Sequence, residues 1–178
     1  MTQTSITQKD IADIKRLAGI SLELDQKQND IAFANKVTDE LYHHQPFILS
    51  MLMGYKMDLL PAELTAVINL YILIWEFFKI EPQVLAIPIT QQHYEKVEMG
   101  AVRWLQKLEA IRSDEEKEMI VTKDLNKSSS KALTGIIFKE FKEGLVLEKM
   151  DVEKKGILLI GFRSVIQCFE NISSGLSK

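Results

Sequence analysis

Apolar residues recur along most of this chain at steps of three and four, the spacing that lines one face of a helix. Ile11, Ile14, Leu17 and Ala18 mark a first helix over about 7–24. Ile31, Ala34, Val37 and Leu41 mark a second over about 26–44. Pro46 keeps Gln45 out of the helical region and so ends that helix. "PFILSMLMGYKM" then opens a third segment with proline in the first turn, where its missing N–H is harmless. "MDLLPAEL" repeats the device, and Pro61 opens a fourth helix over about 61–79. That helix is apolar almost all round and is expected to be the buried, central one.

The two prolines of "KIEPQVLAIPIT" predict an extended connection. Beyond it, Tyr94, Val97, Ala101, Trp104, Leu108 and Ile111 form a coiled-coil-like seam on a fifth helix. "SDEE" matches a capping box and predicts a restart at Ser113. "NKSSSKA" interrupts again, with Ser129 or Ser130 as cap before a helix running to Gly144. After Asp151, a last seam follows through Leu158, Phe162, Val165, Phe169 and Ile172. A hairpin within 145–162, turning at "KKG", is the alternative, since Gly156 and Gly161 both weaken a helix. The expectation is an all-α, single-domain bundle spanning 1–178, with about six or seven helices.

Composition narrows the function more than it names it. Hydrophobic residues make up 46% and charged residues 26% of 178 positions, as in folded globular chains. A net charge of −3 gives no reason to expect nucleic acid as a partner. Lys123, Lys127 and Lys131 read as one solvated helical face. Cys168 is the one cysteine, so an internal disulfide and a cysteine-based zinc site are both excluded. The first ten residues lack a signal peptide's apolar core, and the apolar run 64–78 is shorter than the ~20 residues of a membrane span. The expected setting is cytoplasmic, with no membrane partner.

One stretch invites a chemical reading. "DELYHHQPF" carries Glu40 and His43 at E-x-x-H spacing, with His44 adjacent. A carboxylate-bridged di-metal bundle needs two such motifs and two further glutamates. This chain has one, because Thr90 stands where His93 would need a glutamate. What remains is a mononuclear site for one divalent transition metal, drawn from Glu40, His43, His44 and His93. The competing reading is a helix end whose histidines face the carbonyl pole of the dipole.

Asn69 and Glu76 lie seven apart on the apolar fourth helix and are expected to be buried polar residues. Lys79 or Arg103 is the expected partner for Glu76. The methionine-rich third segment (Phe47, Met51, Met53, Met57), with Tyr94 and Trp104 of the fifth-helix seam, is the candidate interaction surface. An apolar-ligand site lined by Met51, Trp75 and Phe77 is a further alternative. No phosphate-binding glycine loop, G-x-S-x-G or H-E-x-x-H is present. The expectation is a non-enzymatic helical interaction or assembly module, bound to a protein partner or to itself. Its rival is a metal- or small-molecule-binding bundle.

Overall fold

The computed structural model describes residues 7–176, and the reading of positions 1–6 as lacking a signal sequence lies outside them. Among the described residues there are nine α-helices and no strand. They are α1 (Gln8–Gln26), α2 (Ile31–His44), α3 (Pro46–Tyr55), α4 (Pro61–Phe78), α5 (Pro82–Ala86), α6 (Gln91–Glu109), α7 (Asp114–Leu125), α8 (Lys131–Glu143) and α9 (Val152–Ser173). The all-α reading holds, with more helices than the six or seven expected.

Local chemistry sets the boundaries. Thr7 caps α1 and exchanges hydrogen bonds with Asp10, the reciprocal box that satisfies two otherwise free N–H groups. Asp30 accepts from the N–H groups of Ala32 and Phe33, which starts α2 at Ile31 rather than near 26. Ser113 caps α7 and Asp151 caps α9, as their sequence signals indicate. Pro46, Pro61 and Pro82 each open a helix. The last of these corrects the extended connection: Pro82 occupies a first-turn position where its fixed φ suits a helix, and a single five-residue helix forms.

Apart from Ala101 and Leu108, the buried apolar side chains of the described residues join into one connected cluster. The central position expected for α4 is shared. Eight α4 residues are buried, but α9 buries ten and packs against α4, α5, α6 and α8. α1 lies across α4 and α8, and α2 packs on α3. The hairpin alternative for 145–162 is overturned. A short 3-10 turn covers Leu147–Lys149, and Gly156 and Gly161 both lie inside α9.

Gly161 has a packing reason to be glycine. A Cβ there would stand 2.9 Å from the Tyr55 hydroxyl and 3.1 Å from that of Tyr71. Those hydroxyls lie 3.2 Å apart and share a hydrogen bond, while Tyr94 donates to Glu98. Three tyrosines from α3, α4 and α6 thus converge on the glycine of α9. Burial raises the hydroxyl pKa of all three, so they stay protonated.

Candidate functional site

The E-x-x-H stretch is built into the scaffold. Glu40 accepts from the Trp75 indole N–H at 3.0 Å and pairs with Lys79 at 2.9 Å. Lys79 also reaches Glu76 at 2.6 Å, so Glu76 has the partner expected at i+3, and Arg103 lies exposed elsewhere. Burial alone would raise the Glu40 carboxyl pKa. The bonds from Lys79 and Trp75 outweigh it and hold the group below its usual range. Burial would lower the Lys79 pKa, and its two carboxylate partners instead raise it.

The histidines go separate ways. His44 donates through Nδ1 to the Leu85 carbonyl at 2.9 Å and stacks on Trp75. His43 is exposed and lies edge-on to Tyr42. His93 accepts from the Asn171 amide at 3.4 Å, and burial followed by nearby Lys96 lowers its pKa. Among the described residues, no three His, Cys, Asp or Glu side chains form a group that could hold a metal. The set Glu40, His43, His44 and His93 is therefore not assembled. Glu40 is engaged by a lysine and an indole, and His44 by a backbone carbonyl.

Beside this stretch sits a residue that sequence reasoning missed. Gln45 is fully buried, and its amide nitrogen donates to the carbonyls of Val84 (2.8 Å) and Ile87 (3.2 Å). Its carbonyl accepts from the Ile89 N–H at 2.8 Å. One side chain thereby pairs one carbonyl of α5 and two backbone groups of the α5–α6 connection. No motif marks a glutamine for this role. The one available signal was the position before Pro46, where the chain must leave the helix.

The two polar residues expected to be buried in α4 are only half-buried. Asn69 sits at the edge of a groove formed with α1 and α8, and Glu76 points to the Lys79 pair. The helical period carries both toward the rim of the packed face. Lys123, Lys127 and Lys131 do not share a helical face, because α7 ends at Leu125 and α8 begins at Lys131.

The expected interaction surface is largely consumed inside the molecule. Tyr94 is buried, with Phe47 against its ring at 5.2 Å, and Met51 packs on the core. The α6 seam meets α9, so it is an internal contact. Trp104 is half-covered by the Arg163 guanidinium, 4.2 Å above its ring. Trp75 and Phe77 are packed core aromatics, with the Arg16 guanidinium 3.9 Å over Phe77. The clefts lined by Trp104 and Glu170, by His93 and Asn171, and by Asn69 and Glu140 include none of Met51, Trp75 and Phe77.

Met53 and Met57 do lie on the surface, 63% and 86% exposed. Leu60 (64%) follows at the start of α4. Lys154 donates to the Asp58 carbonyl at 3.0 Å, which brings the start of α9 alongside, with Val152 (81%) and Ile157 (58%). The end of α3, the start of α4 and the first turns of α9 thus meet at one corner, where each carries exposed apolar residues. Lys56, Asp58 and Glu153 are exposed around it. Leu60, Val152 and Ile157 were missed because each lies outside or off the seam of its helix.

No protein-family model, curated protein or solved structure matches this chain. Among the described residues, one helix, Pro61–Phe78, is long and apolar enough to cross a membrane by length and composition. In the folded chain it carries Tyr71, Trp75 and Phe78 of the core.

Proposed function

We propose that the protein is a non-enzymatic assembly module that associates with a second copy of itself through the α3–α4–α9 corner. The observation that carries this reading is the exposure of Met53, Met57 and Leu60 at the α3–α4 turn, with the Lys154–Asp58 bond bringing the start of α9 beside it. Exposed apolar groups gathered in one region mark contact sites, whereas scattered single ones do not. Charges of both signs rim it, so two copies related by a two-fold axis place Lys56 of one opposite Asp58 or Glu153 of the other. Methionine adds a deformable surface that packs against its own copy without exact shape matching. A cytoplasmic setting fits the buried, unreactive character of Cys168.

The test is sedimentation velocity from roughly 1 to 200 μM, spanning the affinities of ordinary homodimers. Wild type shifts from monomer to dimer across the series. Met57→Glu/Leu60→Glu, which alters only exposed positions, stays monomeric with an unchanged circular dichroism spectrum. A wild type that remains monomeric at the top concentration, or a double variant that dimerises like wild type, rejects the proposal.

A further inference from the structure

The first turns of α6 and the last turn of α9 line a cleft of about 480 Å³, within the roughly 300–1,000 Å³ of small-molecule sites. Two of its walls are fixed by hydrogen bonds outside the helices. Buried Gln45 bonds the Ile87 carbonyl and the Ile89 N–H, which holds the Ile87–Pro88 wall in place. On the other side Gly175, at φ 72°, reverses the chain after α9. The Leu176 N–H then bonds back to the Asn171 carbonyl at 2.8 Å, and Leu176 joins the lining.

Ile87, Pro88, Val97 and Leu176 make the apolar part of the cleft. The polar part is one-sided: it includes Lys96, His93 and Asn171 and no carboxylate of the described residues. Lys96 and His93 stand three apart on α6 and so share a face. Lys96 is exposed and makes no ion pair among the described residues. Gln167 donates to Asn171 Oδ1 at 3.2 Å, which leaves the Asn171 amide nitrogen to donate to His93 Nε2. Burial, then the Lys96 charge, lowers the His93 pKa, so the neutral ring carries its proton on Nδ1. That N–H bonds no described residue and is open to solvent.

We infer that this cleft binds a small monocarboxylate with an apolar body. Lys96 supplies the charge and His93 Nδ1–H a second donor, one for each carboxylate oxygen. The hydrocarbon part lies against Ile87, Pro88, Val97 and Leu176. A single cation in the lining selects a monoanion. A phosphate dianion keeps one charge uncompensated, and an ammonium group meets Lys96 with no carboxylate to balance it.

The experiment is a ¹H–¹⁵N NMR titration of the full chain at about pH 7.5, where carboxylic acids are ionised. The probes are hexanoate and 3-phenylpropionate, beside hexanamide, 2-phenylethylamine and phenyl phosphate, each to about 20 mM. At least one of the two acids is expected to shift the His93, Lys96 and Asn171 amides saturably, with a dissociation constant of about 5 mM or below. Hexanamide and 2-phenylethylamine bind at least about twofold more weakly than their acid counterparts, and phenyl phosphate no more tightly than the acids. Lys96→Gln, which alters an exposed side chain, weakens the acid by roughly two- to fivefold. Absence of saturable shifts with both acids, or shifts centred away from these residues, overturns the inference. So does equal binding of hexanamide or 2-phenylethylamine, tighter binding of phenyl phosphate, or an unaltered affinity in Lys96→Gln. The comparison of probes uses wild type alone and decides the matter even if the variant does not fold. Dimerisation through the first turns of α9 is read separately and bears on neither outcome.

Discussion

Replacing Gly161 with alanine sets two effects against each other, and the structure says which one wins. Alanine in a helix interior is favoured over glycine by about 1 kcal/mol. At Gly161 the new Cβ would approach the Tyr55 hydroxyl to 2.9 Å, closer than carbon–oxygen contact allows, and the Tyr71 hydroxyl to 3.1 Å, a contact tight enough that the ring must give. Both oxygens stand at the ends of rigid rings. The Tyr71 ring is fully buried and stacked on Phe162 at 4.4 Å, so it has nowhere to retreat. Forcing an extra methyl into a packed core costs about 1–3 kcal/mol. Parting the Tyr55–Tyr71 hydrogen bond adds roughly 1–3 kcal/mol for a buried hydroxyl left unpaired. After subtracting the helical gain, the net loss is about 1–5 kcal/mol. Gly156 is the internal control: it lies in the same helix, and a Cβ there meets nothing within 4 Å. Gly156→Ala is expected to be neutral to stabilising, by up to about 1 kcal/mol. Urea unfolding followed by circular dichroism, with thermal melts in parallel, measures both. At this chain length each kcal/mol moves the midpoint by roughly 2–4 °C. A Gly161→Ala protein as stable as wild type would refute the claim that the tyrosine cluster demands a glycine.

Gln45→Ala leaves the Val84 and Ile87 carbonyls and the Ile89 N–H without partners, and a loss of about 2–4 kcal/mol is expected in urea titration. Glu40 is held below its ordinary pKa, so its stabilisation is present above the usual carboxylate range and disappears as pH falls through the depressed value. The stability gap between wild type and Glu40→Gln should therefore be full at pH 7 and close in acid, and a gap that is constant with pH would contradict the ion-pair assignment. Burial pushes the Cys168 thiol up to about 12, so a thiol reagent should modify native protein slowly and urea-unfolded protein at once. Rapid labelling of the native state would show that α9 is not packed as described.

How much of this was legible beforehand depends on the range of the interaction. Asp151, Ser113 and the helix-opening prolines act on neighbours one to four residues away, so their letters announce the elements they start. The seams of α6 and α9 were equally visible, because burial imprints the helical period. Seams do not say whether they face another helix of the same chain or a separate molecule. For that reason Tyr94 and Trp104 read as a docking surface when they are an α6 face packed on α9. The start of α2 was placed near 26, ahead of its first apolar residue, Ile31, where the Asp30 cap in fact begins the helix. Gln45, Glu170 (which takes bonds from Ser128 and Ser130) and the tyrosine trio were not legible. Each joins segments roughly 16 to 44 residues apart or more, and ordinary glutamine, glutamate and tyrosine letters carry no sign of such partners. "DELYHHQPF" misled in the other direction, since a metal-like spacing arose from a helix end and a structural ion pair.

α7 buries no residue, and this shallow seating divides the chain in an unexpected way. The helices that pack most against α9, namely α4, α5, α6 and α8, lie either before Ala110 or after Ser130, and the Ile111–Ser113 turn between α6 and α7 holds no buried residue. A backbone cut in that turn severs no core helix, but it leaves α4 and α6 in one fragment and α8 and α9 in the other. Neither piece can cover its apolar faces alone, so the two have cause to reunite. The fold is thereby a natural pair of complementing halves, and joining them is a second route to the same native core.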